Sequence, residues 1–254
     1  MTEVAEHYDR HLGPVYSWMA GDFEAAVAAA REELRAVGVP AWPGSVVIDL
    51  GCGPGAHAVA LGRDGGTVWA VDSCDLPLDE LRQRAGGADI RPVQGDIREF
   101  RRYGPEGAAA VLCMGDTLTH LPTAEAVDSL LRDAAGVLEP GGLFVATFRD
   151  YSGGAPAGPA RFIPVRSDRD RILTCCIEYQ PETVEVTDLI HEWRDTRWEF
   201  RASSYRKVRL APLAVAGRLE AEGLAVRIEA GARGMVRVVG RRAESGDSPD
   251  STPS

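Results

Sequence analysis

The chain has 254 residues, 44% of them hydrophobic and 26% charged. That is a globular composition, long enough for one large domain or a domain with an insertion, and it excludes disordered, collagenous and mucin-like chains. A formal net charge of -10 disfavours nucleic-acid backbones as partners, because they demand a concentrated basic surface.

Residues 22–38 read as a helix: Phe23, Val27, Ala30, Leu34 and Val37 recur at spacings of four and three, Asp22 is placed to cap it, and Gly38 and Pro40 stop it. Short apolar runs follow at Val46–Leu50, Thr67–Val71, Ile90–Val93, Ala109–Met114 and Leu143–Phe148, separated by helical stretches. Such alternation predicts parallel strands with helices on both faces. A helix from Thr123 puts Val127, Leu130, Leu131, Ala134 and Leu138 on one stripe and ends at Pro140-Gly141-Gly142. Beyond the Gly/Pro/Ala loop 152–160 the period falls to two, and Ile163–Arg166, Ile172–Tyr179, Val184–Trp193 and Trp198–Leu210 predict an antiparallel meander inserted in the α/β domain. Pro212 opens a last helix, closed by Gly223, before strands at Leu224–Ile228 and Met235–Val239. The polar stretch Ala243–Ser254 reads as a disordered tail.

No apolar run approaches the about 18 residues of a membrane span, and the N-terminal residues lack the pattern of a signal peptide, so a cytoplasmic location with no membrane partner is expected. Five cysteines, at 52, 74, 113, 175 and 176, read as reduced thiols, with Cys175 and Cys176 on opposite sides of a strand. Lys207, the single lysine among 28 basic residues, reads as compositional bias without functional weight. His7 and His11 have i, i+4 spacing but no third ligand in view, so they read as a solvated helix face and no metal is expected.

The strongest motif is Val46-Val47-Ile48-Asp49-Leu50-Gly51-Cys52-Gly53-Pro54-Gly55, a strand running into a glycine loop ahead of a helix. Glycines let the chain turn sharply and lie against a flat ligand. The loop also satisfies G-x-G-x-x-A, which keeps an NAD-dependent oxidoreductase as the rival reading. Asp49 argues against it, since a carboxylate two residues before the first glycine suits a cationic ligand rather than a pyrophosphate. Asp72 ends the second strand, where an acid meets ribose hydroxyls, and Gln94-Gly95-Asp96-Ile97 follows the third. Each acid taken singly could be a turn cap; three in order beside a glycine loop predict one crevice.

With IDLGCGPG (48–55), AVDSC (70–74), QGDI (94–97), VLCMGDTLTHL (111–121) and LEPGGLFVATF (138–148), the chain resembles the S-adenosylmethionine-dependent methyltransferases of the Rossmann-like seven-stranded fold. The resemblance implies that Asp49, Gly51, Gly53 and Gly55 hold the aminocarboxypropyl part of the cofactor. It gives Asp72 the ribose, Asp96 the adenine amino group and Ile97 the ring face; Cys52 and Ser73 stand beside these contacts, and Met114 and Gly115 border the methyl donor. The N-terminal HYDRHLGPVYSWM and the inserted meander look most like glycine and amino-sugar N-methyltransferases, which implies a small-molecule acceptor. Thr119 departs from the glycine usual before the histidine of the amino-sugar enzymes, so the acceptor is not carried over.

His120 is the first candidate base, because an unperturbed imidazole titrates near neutrality, and pinning its loop is its other role. Asp116 is the second, or a turn cap. Tyr16 reaches the cofactor carboxylate or the acceptor, or packs the N-terminal segment. Arg149 and Tyr151 leave the fifth strand where parallel sheets bind ligands, and Arg149 either grips an anionic group of the substrate or pairs on the surface near Asp150. Trp18 is a lid residue within reach of the substrate. The expected layout is a helical lid (1–40), a cofactor-binding core (41–150), a roof (151–210), closing elements (211–242) and the tail (243–254). A cofactor-binding protein without catalysis stays open as a further reading, and the oligomeric state is undetermined.

Overall fold

The computed structural model describes residues 3–244, so the predicted tail lies almost wholly outside the described residues. The chain opens with α1 (Glu3–His7), a π-helical turn (Tyr8–Leu12) and α2 (Gly13–Ala20). Gly13 permits the wide turn, because a Cβ there would stand 2.6 Å from the Tyr8 carbonyl oxygen. Helix α3 (Phe23–Val37) starts where Asp22 accepts a hydrogen bond from the Ala25 amide and buries Val27, Ala30, Leu34 and Val37, the predicted stripe.

The core then alternates: β1 (Val46–Leu50), α4 (Ala56–Arg63), β2 (Thr67–Asp72), α5 (Asp75–Arg84), β3 (Ile90–Gln94), β4 (Ala108–Cys113), α6 (Ala124–Val137) and β5 (Leu138–Phe148). The inserted strands β6 (Phe162–Ser167), β7 (Arg171–Tyr179), β8 (Thr183–Arg194) and β9 (Arg197–Val208) form their own antiparallel sheet in sequence order. Helix α7 (Pro212–Ala221), β10 (Leu224–Ala230) and β11 (Val236–Arg242) return to the first sheet.

That first sheet has seven strands in the order β10-β11-β5-β4-β1-β2-β3. β5, β4, β1, β2 and β3 run parallel, while β11 joins β5 antiparallel. This is the Rossmann-like architecture the alternation predicts. One apolar cluster packs α6 and α7 against one face, and another packs α3, α4 and α5 against the other. Burial on both sides explains why the central strands are continuous apolar runs. Strand order reverses between β4 and β1, and in such sheets a ligand crevice opens there, at the carboxyl ends of the strands.

One boundary differs from expectation. Helix α6 stops at Val137, strand pairing resumes at once with Ala108 opposite Leu138, and the register then jumps to Ala110 opposite Leu143. Glu139–Gly142 therefore bulge from the strand, with Gly141 at φ +79°, where a turn was expected to end the helix. Among the described residues, no helix is long and apolar enough to cross a membrane.

Candidate active site

The three predicted acids stand at the carboxyl ends of three hydrogen-bonded neighbours, β1, β2 and β3. Asp49 ends up only 1% exposed, and its Oδ2 is a buried oxygen without a hydrogen-bond partner among the described residues. Burial first, and the charge of Asp72 with it, raises its pKa from 3.8 to about 6, against the opposing pull of His57 and the Ala58 amide. The Asp72 carboxylate accepts hydrogen bonds from the Gly53 amide at 2.9 Å and the Cys74 amide at 3.0 Å, bracing the glycine loop. Burial raises its pKa as well. A buried carboxylate with an oxygen left over, beside a half-buried second one, fits a cationic ligand, because a positive charge would relieve a desolvation that the chain does not compensate itself.

The glycines have separate reasons. Gly51 (φ +69°) must lack a side chain because a Cβ would meet Thr117 Cγ2 at 2.3 Å, and at Gly55 (φ +86°) it would meet Leu81 Cδ1 at 2.2 Å. At Gly53 the nearest atom to such a Cβ is the Tyr16 hydroxyl at 3.7 Å. Tyr16 from α2 thus stands over the loop, with its phenol pushed up to about 12 by burial and then by Asp72. Cys52 is buried and Ser73 exposed beside the loop. Asp96 caps the turn after β3 by accepting from the Arg98 amide, and the Arg98 guanidinium engages both of its oxygens at 3.0 Å. Ile97 packs against the core. Met114 is buried at the end of β4, and Gly115, at φ +70°, faces open space.

Asp116 is the hub of the other side of the crevice. Held at φ +77°, it donates its amide to the Thr147 carbonyl, while Oδ1 accepts from the Arg149 amide (2.9 Å) and the Thr119 hydroxyl (3.0 Å). Oδ2 faces the Tyr151 hydroxyl at 3.4 Å and the Lys207 ammonium at 2.5 Å. Burial alone would raise this carboxyl, but Lys207, His120 and the hydrogen bonds outweigh it and hold the pKa below the usual range. His120 closes the short turn begun at Asp116, with its ring 5.5 Å from Tyr8 and 5.7 Å from Tyr205, and its Nε2 is buried without a hydrogen-bond partner among the described residues. The premise of an imidazole titrating near neutrality fails here: burial, then the charge of Lys207, lowers its pKa to about 3.

Several residues sit differently from expectation. His7 and His11 are buried rather than solvated, because the N-terminal segment packs against the second sheet with both rings on Asp188. His7 Nε2 lies 2.9 Å from Asp188 Oδ2, His7 Nδ1 lies 2.9 Å from the Ser203 hydroxyl, and His11 Nε2 lies 3.1 Å from the Asp188 carbonyl. Cys175 donates to Asp188 Oδ1 at 2.7 Å. Trp18 donates to Asp168 at 2.5 Å and lies against Arg166 and Arg171, so it ties α2 to the turn between β6 and β7. Arg149 leaves Asp150 alone and reaches the Arg233 carbonyl at 3.4 Å. Arg209 fastens the start of loop 152–160, donating to the carbonyls of Tyr151 (2.8 Å) and Gly153 (3.1 Å).

The residue missed from sequence is Lys207. It is 7% exposed, and Asp116 is 6% exposed. A signal existed: in a chain that otherwise uses arginine for every basic position, the one lysine is the position that composition does not explain.

Residues 47–142 match the family described as a methyltransferase domain. A cypemycin N-terminal methyltransferase from a Streptomyces species is 34% identical over 136 residues, 52% of this chain and 53% of that protein. The chain spans about half the length of the curated relatives it matches. Among solved structures, the CcbJ methyltransferase of Streptomyces caelestis superposes with a TM-score of 0.76 at 23% identity, covering 96% of this chain and 100% of that one. CalS10, an amino pentose methyltransferase of Micromonospora echinaspora, gives a TM-score of 0.74 at 18% identity over 91% of this chain and 95% of that one. These likenesses extend the shared fold to the second sheet and the closing strands. Residues 47–142 thus carry the match to the methyltransferase-domain family, and they sit in a Rossmann-like fold.

Proposed function

We propose that the chain moves a methyl group from S-adenosylmethionine to a nitrogen or oxygen of a small-molecule acceptor. S-adenosylmethionine is the cofactor, and the observation that carries this reading is the buried Asp49 carboxylate, whose Oδ2 has no hydrogen-bond partner among the described residues, beside a glycine loop in the stretch that matches the methyltransferase domain. When bound, the cofactor supplies a methyl group activated by a cationic sulfur. Asp49 and the loop Gly51–Gly55, Cys52 included, take its charged amino-acid end. Asp72 and Ser73 take the ribose, Asp96 and Ile97 the adenine, and Met114 and Gly115 border the methyl.

The protein's share is alignment and exclusion of water. Holding donor and acceptor in line supplies on the order of 7–11 kcal/mol. Tyr8, Tyr16, His120 and Tyr205 crowd into one aromatic cluster between α1–α2, the second sheet and the loop after β4. That arrangement supports the layout of a lid (1–40), core (41–150), roof (151–210) and closing elements (211–242). With its low pKa, His120 works as a neutral imidazole: Nε2 accepts a hydrogen bond from the acceptor's N–H or O–H and turns the nucleophile's lone pair toward the methyl group. Asp116, bound to Lys207, holds this turn. Tyr151 and Arg149 line the carboxyl end of β5 beside it, and Trp18 bounds the lid. Nitrogen is the favoured acceptor, supported by the cypemycin N-terminal and amino pentose methyltransferases. The net charge of -10 speaks against nucleic-acid acceptors, and five cysteines with no disulfide among the described residues support a reducing, cytoplasmic setting.

The test is incubation of the full chain with deuterated-methyl S-adenosylmethionine and metabolite extract, followed by mass spectrometry, alongside equilibrium dialysis with S-adenosylmethionine and with NAD. Label in a small molecule and retention of S-adenosylmethionine support the reading. Retention of NAD alone refutes it, and tight S-adenosylmethionine binding with no transfer across a broad acceptor panel refutes the catalytic part.

A further inference from the structure

We infer that Lys207 is a positioning residue of the methyl-transfer site: its ion pair with Asp116 locks β9 to the turn after β4 and so fixes His120 beneath Tyr8 and Tyr205. The inference rests on the proposed function only for what the fixed site then does.

The seven-stranded and four-stranded sheets are separate bodies, linked by the chain leaving β5 and the chain entering α7. Something must set their relative placement. The alternation of β9 puts Ser203, Tyr205 and Lys207 on one face, the same face as their register partners Asp188, Val186 and Val184 of β8. Within that row Tyr205 meets the His120 ring, and Lys207 forms the ion pair with the core. Asp116 divides its two oxygens accordingly: Oδ1 is bonded within the core, to the Arg149 amide and the Thr119 hydroxyl, and Oδ2 is left to Lys207 and Tyr151. One carboxylate thus joins both bodies, and the turn it begins ends at His120.

Burying such a pair is a poor way to add stability, since well-packed apolar side chains often do as well or better; the best-attested use of buried polar pairs is setting register. That argument favours a placement role over a merely structural one. Charge reaches His120 as well. The titratable groups around it are Lys207 and Tyr205 from β9, Asp188 from β8, His7 and Tyr8 from the N-terminal turn, and Asp116 from its own turn. Lys207 stands second only to burial in keeping the imidazole neutral.

The experiment compares the full-length Lys207→Met variant, the double variant Lys207→Met/Asp116→Asn and Lys207→Arg with wild type. Lys207→Met should raise the His120 titration midpoint, followed by NMR of 13C-labelled imidazole, by about one pH unit or more. It should also lower turnover by about tenfold or more while leaving S-adenosylmethionine affinity within about threefold, and Lys207→Arg should recover part of the loss. The double variant leaves no uncompensated buried charge; it should melt near wild type yet keep the low turnover and shift the His120 resonance away from its position against the Tyr8 and Tyr205 rings. A folded double variant with wild-type turnover and an unmoved His120 resonance overturns the inference. Should wild type bind no S-adenosylmethionine, the proposed function fails, and the NMR comparison still decides the role of Lys207.

Discussion

Replacing Asp49 by asparagine removes a charge and keeps the shape, so it separates what the carboxylate costs from what it does. In the folded protein its pKa is about 6 against an ordinary 3.8. A carboxyl raised on folding holds its proton more tightly in the native state. Its stabilising contribution is therefore complete below pH 3.8 and is lost as pH climbs through 6. At 1.36 kcal/mol per pKa unit, ionised Asp49 costs the cofactor-free protein about 3 kcal/mol. Asp49→Asn should remove most of that at pH 8, raising Tm by about 6–12 °C for a chain of this size, and should change little at pH 4. Cofactor affinity should move the other way, falling about tenfold or more with the lost counter-charge. Scanning calorimetry without cofactor at both pH values, with titration calorimetry for S-adenosylmethionine, measures both. Equal Tm differences at pH 4 and pH 8, or unchanged affinity, would refute the claim that Asp49 is held charged and unpaired for a cation.

Other expectations follow from the same geometry. Asp72→Ala deletes the acceptor for the Gly53 and Cys74 amides as well as the proposed ribose contact, so S-adenosylmethionine affinity should fall steeply in calorimetry while the circular dichroism spectrum stays native. His120→Ala should keep cofactor affinity and lower turnover about tenfold or more, and wild-type turnover should show no histidine limb between about pH 5 and 8, because the imidazole is neutral throughout. Gly51→Ala meets both a positive φ and a Cβ 2.3 Å from Thr117; it should cost about 1–3 kcal/mol, read as a lower denaturation midpoint. Asp116 and Asp188 have pKa values held down, the first chiefly by Lys207 and the second by His7 and Cys175, each against burial. Their contribution is present above pH 3.8 and lost as pH falls below it, so an acid-induced transition should sharpen there, opposite in sign to the Asp49 effect.

The row of carboxylates at the strand ends was legible because its parts are local. Asp49 stands two positions before Gly51, and the strands that carry Asp49 and Asp72 are neighbours; once alternation declares a parallel sheet, strand ends fall together without knowledge of any distant contact. The meander was equally plain from its period of two, and its four strands appear in the predicted order.

The acceptor side was not legible, and the reason is separation along the chain. Lys207 meets Asp116 across 91 positions, and His7 meets Asp188 across 181. No spacing rule connects residues that far apart. The N-terminal segment also packs against the second sheet with both histidine rings on Asp188, so a pattern that reads as a solvated face is buried. Protonation follows the same division. A residue type sets an imidazole near neutrality, but the dielectric around it and the charge beside it are properties of packing. Residue order along strand and loop determined where this protein presents its carboxylates; only the meeting of two sheets and an N-terminal turn decided which of the charges around Asp116 and Asp188 are neutralised.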